Sequence, residues 1–110
     1  MKTISLNALL ERLNSPSPPA LVEALPSRYF AQGHLPGALN INTGEVKALA
    51  PDLLPAKSGG IVVYCASATC TNSDQVAIQL HAMGYTDVAV FKGGKAEWQA
   101  AGQALEGVPA

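Results

Sequence analysis

Apolar residues recur along this chain in two periods, one helical and one extended. Leu6, Leu9, Leu10 and Leu13 fall on one helix face, and Ser5 before them suits an N-cap. The SPSPP segment breaks that helix, and ALVEAL (20–25) then reads as a short buried strand. Ser27 to Gln32 reads as a helical turn. GHLPGALNI follows, its Gly and Pro residues forcing turns before a strand at Ala38 to Ile41. Thr43 to Ala50 is helical in pattern, with Pro51 as its end. KSGGIVVYC is the clearest strand, a Gly pair followed by β-branched and aromatic side chains. Val76, Ala77, Leu80 and Met83 predict a helix over Ser73 to Met83, stopped by Gly84. TDVAVF is the next strand, and GGKAEWQAAG is a turn leading into a short helix.

Strands alternating with helices predict an α/β fold, a parallel sheet covered on both faces. Four or five strands are expected. The continuous apolar run Ile61 to Tyr64 belongs at the centre, because only a strand buried on both faces tolerates it. Without a repeat or a linker, residues 1–110 read as a single domain. A chain of 110 residues can bury roughly 65% of its unfolded surface. With 48% hydrophobic and 14% charged residues it belongs with compact globular proteins. A net charge of −1 and the lack of a basic cluster give no reason to expect a nucleic-acid or membrane partner. MKTISLNALLERLN has no apolar core of signal-peptide length, and no run nears the roughly 18 residues of a membrane span. The expectation is a soluble cytoplasmic protein whose thiols stay free.

Both cysteines stand in YCASATCTNS, with four residues between them. This stretch falls where a buried parallel strand ends and a helix begins, the ligand-binding edge of an open α/β sheet. Backbone N–H groups of such a turn, with the unpaired first N–H groups of the helix, form a cradle of positive potential. A thiol held there should have a lowered pKa and raised nucleophilicity. Cys65, first after the strand, is the one such a loop encircles. The alternative is a buried, inert cysteine at a strand end, and the local pattern favours neither.

GHLPGALNI, VVYC at the strand end, a small-residue loop into a helix, and FKGGKAEWQAAG together resemble the rhodanese-like domain, a single-domain sulfurtransferase family, from about Ile4 to Gly107. The resemblance implies a three-layer fold and a catalytic Cys65 that carries a persulfide. Residues Ala66, Ser67, Ala68, Thr69, Cys70 and Thr71 become the substrate-binding loop. The implied activity is sulfur transfer. The Cys65 thiolate takes the sulfane sulfur of thiosulfate or a persulfide and passes it to a thiophilic acceptor, a small thiol or a partner protein, without a cofactor.

The chain departs from the family pattern. Active members usually have a six-residue loop, often with Arg, Thr or Ser last. Here sixth place is Cys70, and counting back from Gly84 extends the loop about two residues, to Asn72. No cation occurs in it, which weakens capture of an anionic donor. Glu23-Ala24-Leu25 stands where Asp-x-Arg is usual, so the family's buried ion pair is in question. Cys70 is a candidate resolving thiol, equally a small packing residue. A non-catalytic binding or redox-sensing module using a reversible Cys65–Cys70 disulfide is the alternative function. A phosphatase relative is disfavoured, because its loop ends in Arg and none follows Tyr64.

The remaining residues invite simpler readings. His34 is expected to be bonded to backbone in its turn, and His81 to be solvated. Cys65, Cys70, His34 and His81 are suitable zinc ligands, but a C-x4-C pair without a second ligand pair is a weak signal, and no metal is expected. Trp98 should be core. Glu45 and Glu97 should be solvated. Gly93 and Gly94 suit positive φ or a close approach to the active loop.

Overall fold

A computed structural model describes residues 2–110. Its elements, in chain order, are α1 (Leu6–Leu13), β1 (Ala20–Glu23), α2 (Ser27–Phe30), β2 (Leu39–Asn40), α3 (Val46–Leu53), β3 (Gly60–Tyr64), α4 (Asn72–Ala82), β4 (Asp87–Phe91) and α5 (Gly94–Ala100). The strands form one parallel sheet of four in the order β2-β1-β3-β4. β3 is therefore interior, as its unbroken apolar run requires. Beyond β4, Thr3 makes only a single parallel bridge to Val90, with Ile4 N donating to Val90 O and Val90 N to Lys2 O. The amino-terminal segment thus extends the sheet without adding a full strand.

The pleat of β3 separates two cores. Ile61 and Val63 face Val46 and Ala50 of α3 and Val76, Ala77 and Leu80 of α4. Val62 and Tyr64 face Leu9 of α1 and Trp98 of α5. Ser5 caps α1, its Oγ accepting from Ala8 N at 3.2 Å. One expectation fails in α3, which runs through Pro51 instead of stopping before it. The ring forfeits only the hydrogen bond to the carbonyl of Lys47, an exposed residue. One turn further the helix still closes through Leu54 N to Ala50 O, with both side chains buried.

β1 is followed by β2 on one side of it and by β3 on the other. The strand order thus reverses between β1 and β3, and their carboxyl ends, Glu23 and Tyr64, stand opposite each other. Such a switch point is where open α/β sheets gather ligands. No helix among the described residues is long and apolar enough to cross a membrane.

Candidate functional site

Cys65 leaves β3 at this switch point, its side chain buried. The loop it opens closes on itself by a turn, Cys70 N to Ser67 O at 3.1 Å, and by Ser67 Oγ and Thr69 Oγ1 at 3.2 Å. α4 begins at Asn72, so Ala66 to Thr71 form the connection, with Ala66, Ala68, Thr69 and Thr71 exposed. The loop ends between the two sequence counts.

The Cys65 sulfur lies 3.3 Å from Ser73 Oγ and 3.5 Å from the Cys70 carbonyl oxygen. A thiol has one proton and can satisfy one of these acceptors at a time. The thiolate is served differently. Ser73 offers it a hydroxyl at 3.3 Å, whereas the Cys70 carbonyl faces it with lone pairs. The expected depression of the thiol pKa is not what the site gives. Burial pushes the Cys65 thiol up, the Cys70 thiol adds to the rise, and Ser73 only partly opposes it. The expectation counted the N–H groups of the loop but not the closed pocket around the sulfur. Loss of water costs the anion more than the donors return.

Two lysines frame the loop. Phe91 pairs in register with Tyr64, so the next residue, Lys92, stands level with Cys65. Its Nζ donates to Cys70 O at 3.3 Å and to Asp74 Oδ2, in the first turn of α4, at 2.7 Å. Lys95 is turned the other way, to Glu23 Oε1 and to Tyr29 O, each at 3.0 Å. Glu23 is fully buried and also accepts from the Tyr64 hydroxyl at 2.9 Å, which in turn accepts from Leu35 N. Burial and the adjacent Glu23 carboxylate hold that phenol protonated, well above the ordinary tyrosine range. The buried ion pair left in question by Glu23-Ala24-Leu25 is thus present, with its cation supplied by Lys95.

Between the lysines, α5 presses its amino end onto the loop. Lys95 N donates to Cys65 O and Ala96 N to Ala66 O, both at 3.0 Å. Gly94 has φ +59°, and a Cβ there would collide with the Cys65 carbonyl. It therefore meets both expectations, left-handed backbone and close approach. Gly93 meets neither, with φ −64° and the side chain of Glu97 nearest to where its Cβ would lie.

His34 stacks on Phe30 with ring centroids 3.8 Å apart, and its Nδ1 donates to Phe30 O. His81 is exposed on α4, and Trp98 is buried with Nε1 on Ala104 O. Glu45 and Glu97 are exposed. Among the described residues no three His, Cys, Asp or Glu side chains converge on a point.

Ser73, Lys92 and Lys95 were not singled out by sequence. Lys92 was within reach of it. In a parallel sheet, the residue after the neighbouring strand sits at the same edge as the residue after the central one.

The family model of the rhodanese-like domain matches residues 5–101. Among solved structures, the Alr3790 protein from Anabaena sp. superposes with a TM-score of 0.84 at 27% identity, covering 96% of this chain and 80% of that one. A structure titled thiosulfate sulfurtransferase from Pseudomonas aeruginosa gives 0.84 at 26% identity, over 96% of this chain and 20% of that one. One titled rhodanese with anions, from E. coli, gives 0.62 at 31% identity, over 71% of this chain and 88% of that one. No curated protein sequence matches.

Proposed function

The chain belongs to the rhodanese-like domain family, and from that premise we propose that it is a sulfurtransferase, or persulfide carrier, with Cys65 as sulfur acceptor. One observation carries the reading. The strand-end sulfur lies 3.3 Å from the Ser73 hydroxyl at the start of α4, so an anion formed there is met by an O–H already in place.

In the forward step the Cys65 thiolate attacks the sulfane sulfur of the donor. With thiosulfate, the S–S bond of the donor breaks, its electron pair leaves on sulfite, and Cys65 retains a persulfide anion. An acceptor thiolate then attacks the outer sulfur and carries it away, restoring the Cys65 thiolate. Ser73 donates to the sulfur throughout, and the Lys95 and Ala96 amides hold the loop by its first two carbonyls. The family relatives support thiosulfate as one donor, but the loop itself contributes no cation, so this donor should need high concentration. The acceptor is a small thiol or a partner protein. The reaction needs no cofactor, nucleic acid or membrane and suits the reducing cytoplasm, where both thiols stay free.

A second reading rests on Cys70, whose carbonyl oxygen lies 3.5 Å from the Cys65 sulfur and whose thiol adds to the rise in its pKa. A Cys70 thiolate attacking the inner sulfur of a Cys65 persulfide would expel hydrosulfide and leave a Cys65–Cys70 disulfide. A cellular dithiol reductant would reopen it. Intact-mass measurement after incubation with thiosulfate tests both readings. Wild type should gain one sulfur mass and Cys65→Ser none, while Cys70→Ser should hold its sulfur longer than wild type. Equal loading of Cys65→Ser ends the first reading, and equal retention by Cys70→Ser ends the second.

A further inference from the structure

Lys92 is a cation that the fold, rather than the loop, brings beside the reacting sulfur. A short chain of contacts joins them: Cys65 Sγ is 3.5 Å from Cys70 O, and Cys70 O is 3.3 Å from Lys92 Nζ. We propose that Lys92 is the specificity-determining cation of the site, recognising anionic sulfur donors, and that Asp74 sets how strongly it does so. The proposal rests on the reading of Cys65 as sulfur acceptor and names the class of donor that it takes.

The alternatives at this edge are already engaged. Lys95 is 14% exposed and spends its charge on buried Glu23. Lys92 is 36% exposed and Asp74 35%, so this pair is open to solvent and to a ligand. An ammonium has three donors, and the two contacts described leave one available. The hydroxyl pair of Ser67 and Thr69 lies in the same loop, and the proton not used between them adds one neutral donor for an oxyanion oxygen.

Charge explains why such a group is needed. A thiolate attacking thiosulfate brings a monoanion against a dianion. The products, a persulfide anion and a departing sulfite dianion, carry the same total charge. The Ser73 hydroxyl answers the charge on Cys65 but not the charge on the donor. Lys92 can do so while also drawing the Cys70 carbonyl, whose lone pairs oppose the anion, toward itself. Asp74 competes for the same ammonium at 2.7 Å. The site is therefore set to a moderate attraction, in keeping with a donor that must leave again as sulfite.

The experiment compares alkylation of Cys65 by iodoacetate and by iodoacetamide, followed by fragment mass spectrometry. In both reactions the thiolate displaces iodide, and the reagents differ by one negative charge. Any change in thiolate fraction cancels in their rate ratio, which reads the charge around the sulfur. Lys92→Gln should lower the iodoacetate-to-iodoacetamide ratio about 3- to 10-fold at low salt, a modest effect because the pair is exposed. Lys92→Arg should preserve it, and Asp74→Asn should raise it. In sulfur loading, KM for thiosulfate should move in the same order while the rate at saturation stays within about two-fold, as expected for a group that binds the donor as strongly as its transition state. A flat ratio in Lys92→Gln, or a fall in Asp74→Asn like that in Lys92→Gln, would overturn the assignment and leave the pair a structural tie. Shifted ratios in a protein that takes up no sulfur would support the anion site and sink sulfur transfer. Sulfur uptake with flat ratios would do the reverse.

Discussion

Two neighbours pull the Cys65 sulfur in opposite directions. Burial and the Cys70 thiol favour the neutral form, and Ser73 favours the anion. Since burial leads, reactivity should rise with pH through a midpoint above the roughly 8.5 of a free cysteine. Ser73→Ala removes the stabilising hydroxyl. It should move the midpoint higher and slow Cys65 alkylation at neutral pH by roughly ten-fold or more, the worth of one hydrogen bond to a charged atom. A pH profile measured with iodoacetamide checks both. A wild-type midpoint below that of glutathione would contradict the burial argument. The linked effect on stability has a definite sign. The folded protein prefers the neutral thiol, so this contribution is whole below the ordinary thiol range and fades as pH climbs through the folded value. The position of Cys65 was legible in sequence because a strand end followed by a helix start is a local pattern. Its enclosure was not, because that depends on Ser73, Cys70 and the amino end of α5 meeting around it.

At the scale of elements, α5 owes its place to one glycine. Gly94 combines positive φ with contact between backbones, so Gly94→Ala must either unwind the start of the helix or push Cys65 out of line. Gly102 is the natural control, with φ +81° but open space where its Cβ would lie. Gly102→Ala should cost about 1 kcal/mol from the left-handed backbone alone. Gly94→Ala should exceed it by roughly 1–3 kcal/mol and also slow sulfur loading. Denaturation midpoints of the two variants decide, and equal losses would mean that the contact with Cys65 yields easily. Periodicity revealed α1, β1, β3, α4 and β4 well, since each has a run long enough to show its period. It failed at α3, where a proline rule about local hydrogen bonding was outweighed by burial of Ala50 and Leu54. A Gly-Gly pair advertises a special turn without saying which member turns; only contact with Cys65 singles out Gly94.

Across the whole molecule, the polar cluster beneath the site ties distant segments together. Glu23 at the end of β1, Tyr64 at the end of β3 and Lys95 in α5 share one carboxylate oxygen. Tyr64 also receives the Leu35 amide, and Lys95 reaches the carbonyl of Tyr29 in α2. Sequence could name Glu23 as out of pattern but not supply its partner, because the partner lies far along the chain and the pairing exists only once the sheet has closed. Removing the cation alone leaves a buried carboxylate whose second oxygen, Oε2, has no hydrogen-bond partner among the described residues. Lys95→Met should therefore destabilise the protein by about 3–5 kcal/mol, whereas Glu23→Gln combined with Lys95→Met should lose distinctly less than Lys95→Met alone. Urea unfolding of the single and double variants provides the measurement. If the double variant is as unstable as the sum of its parts, the pair adds no coupling, and the packing of the lysine stem, not its charge, holds α5 to the sheet.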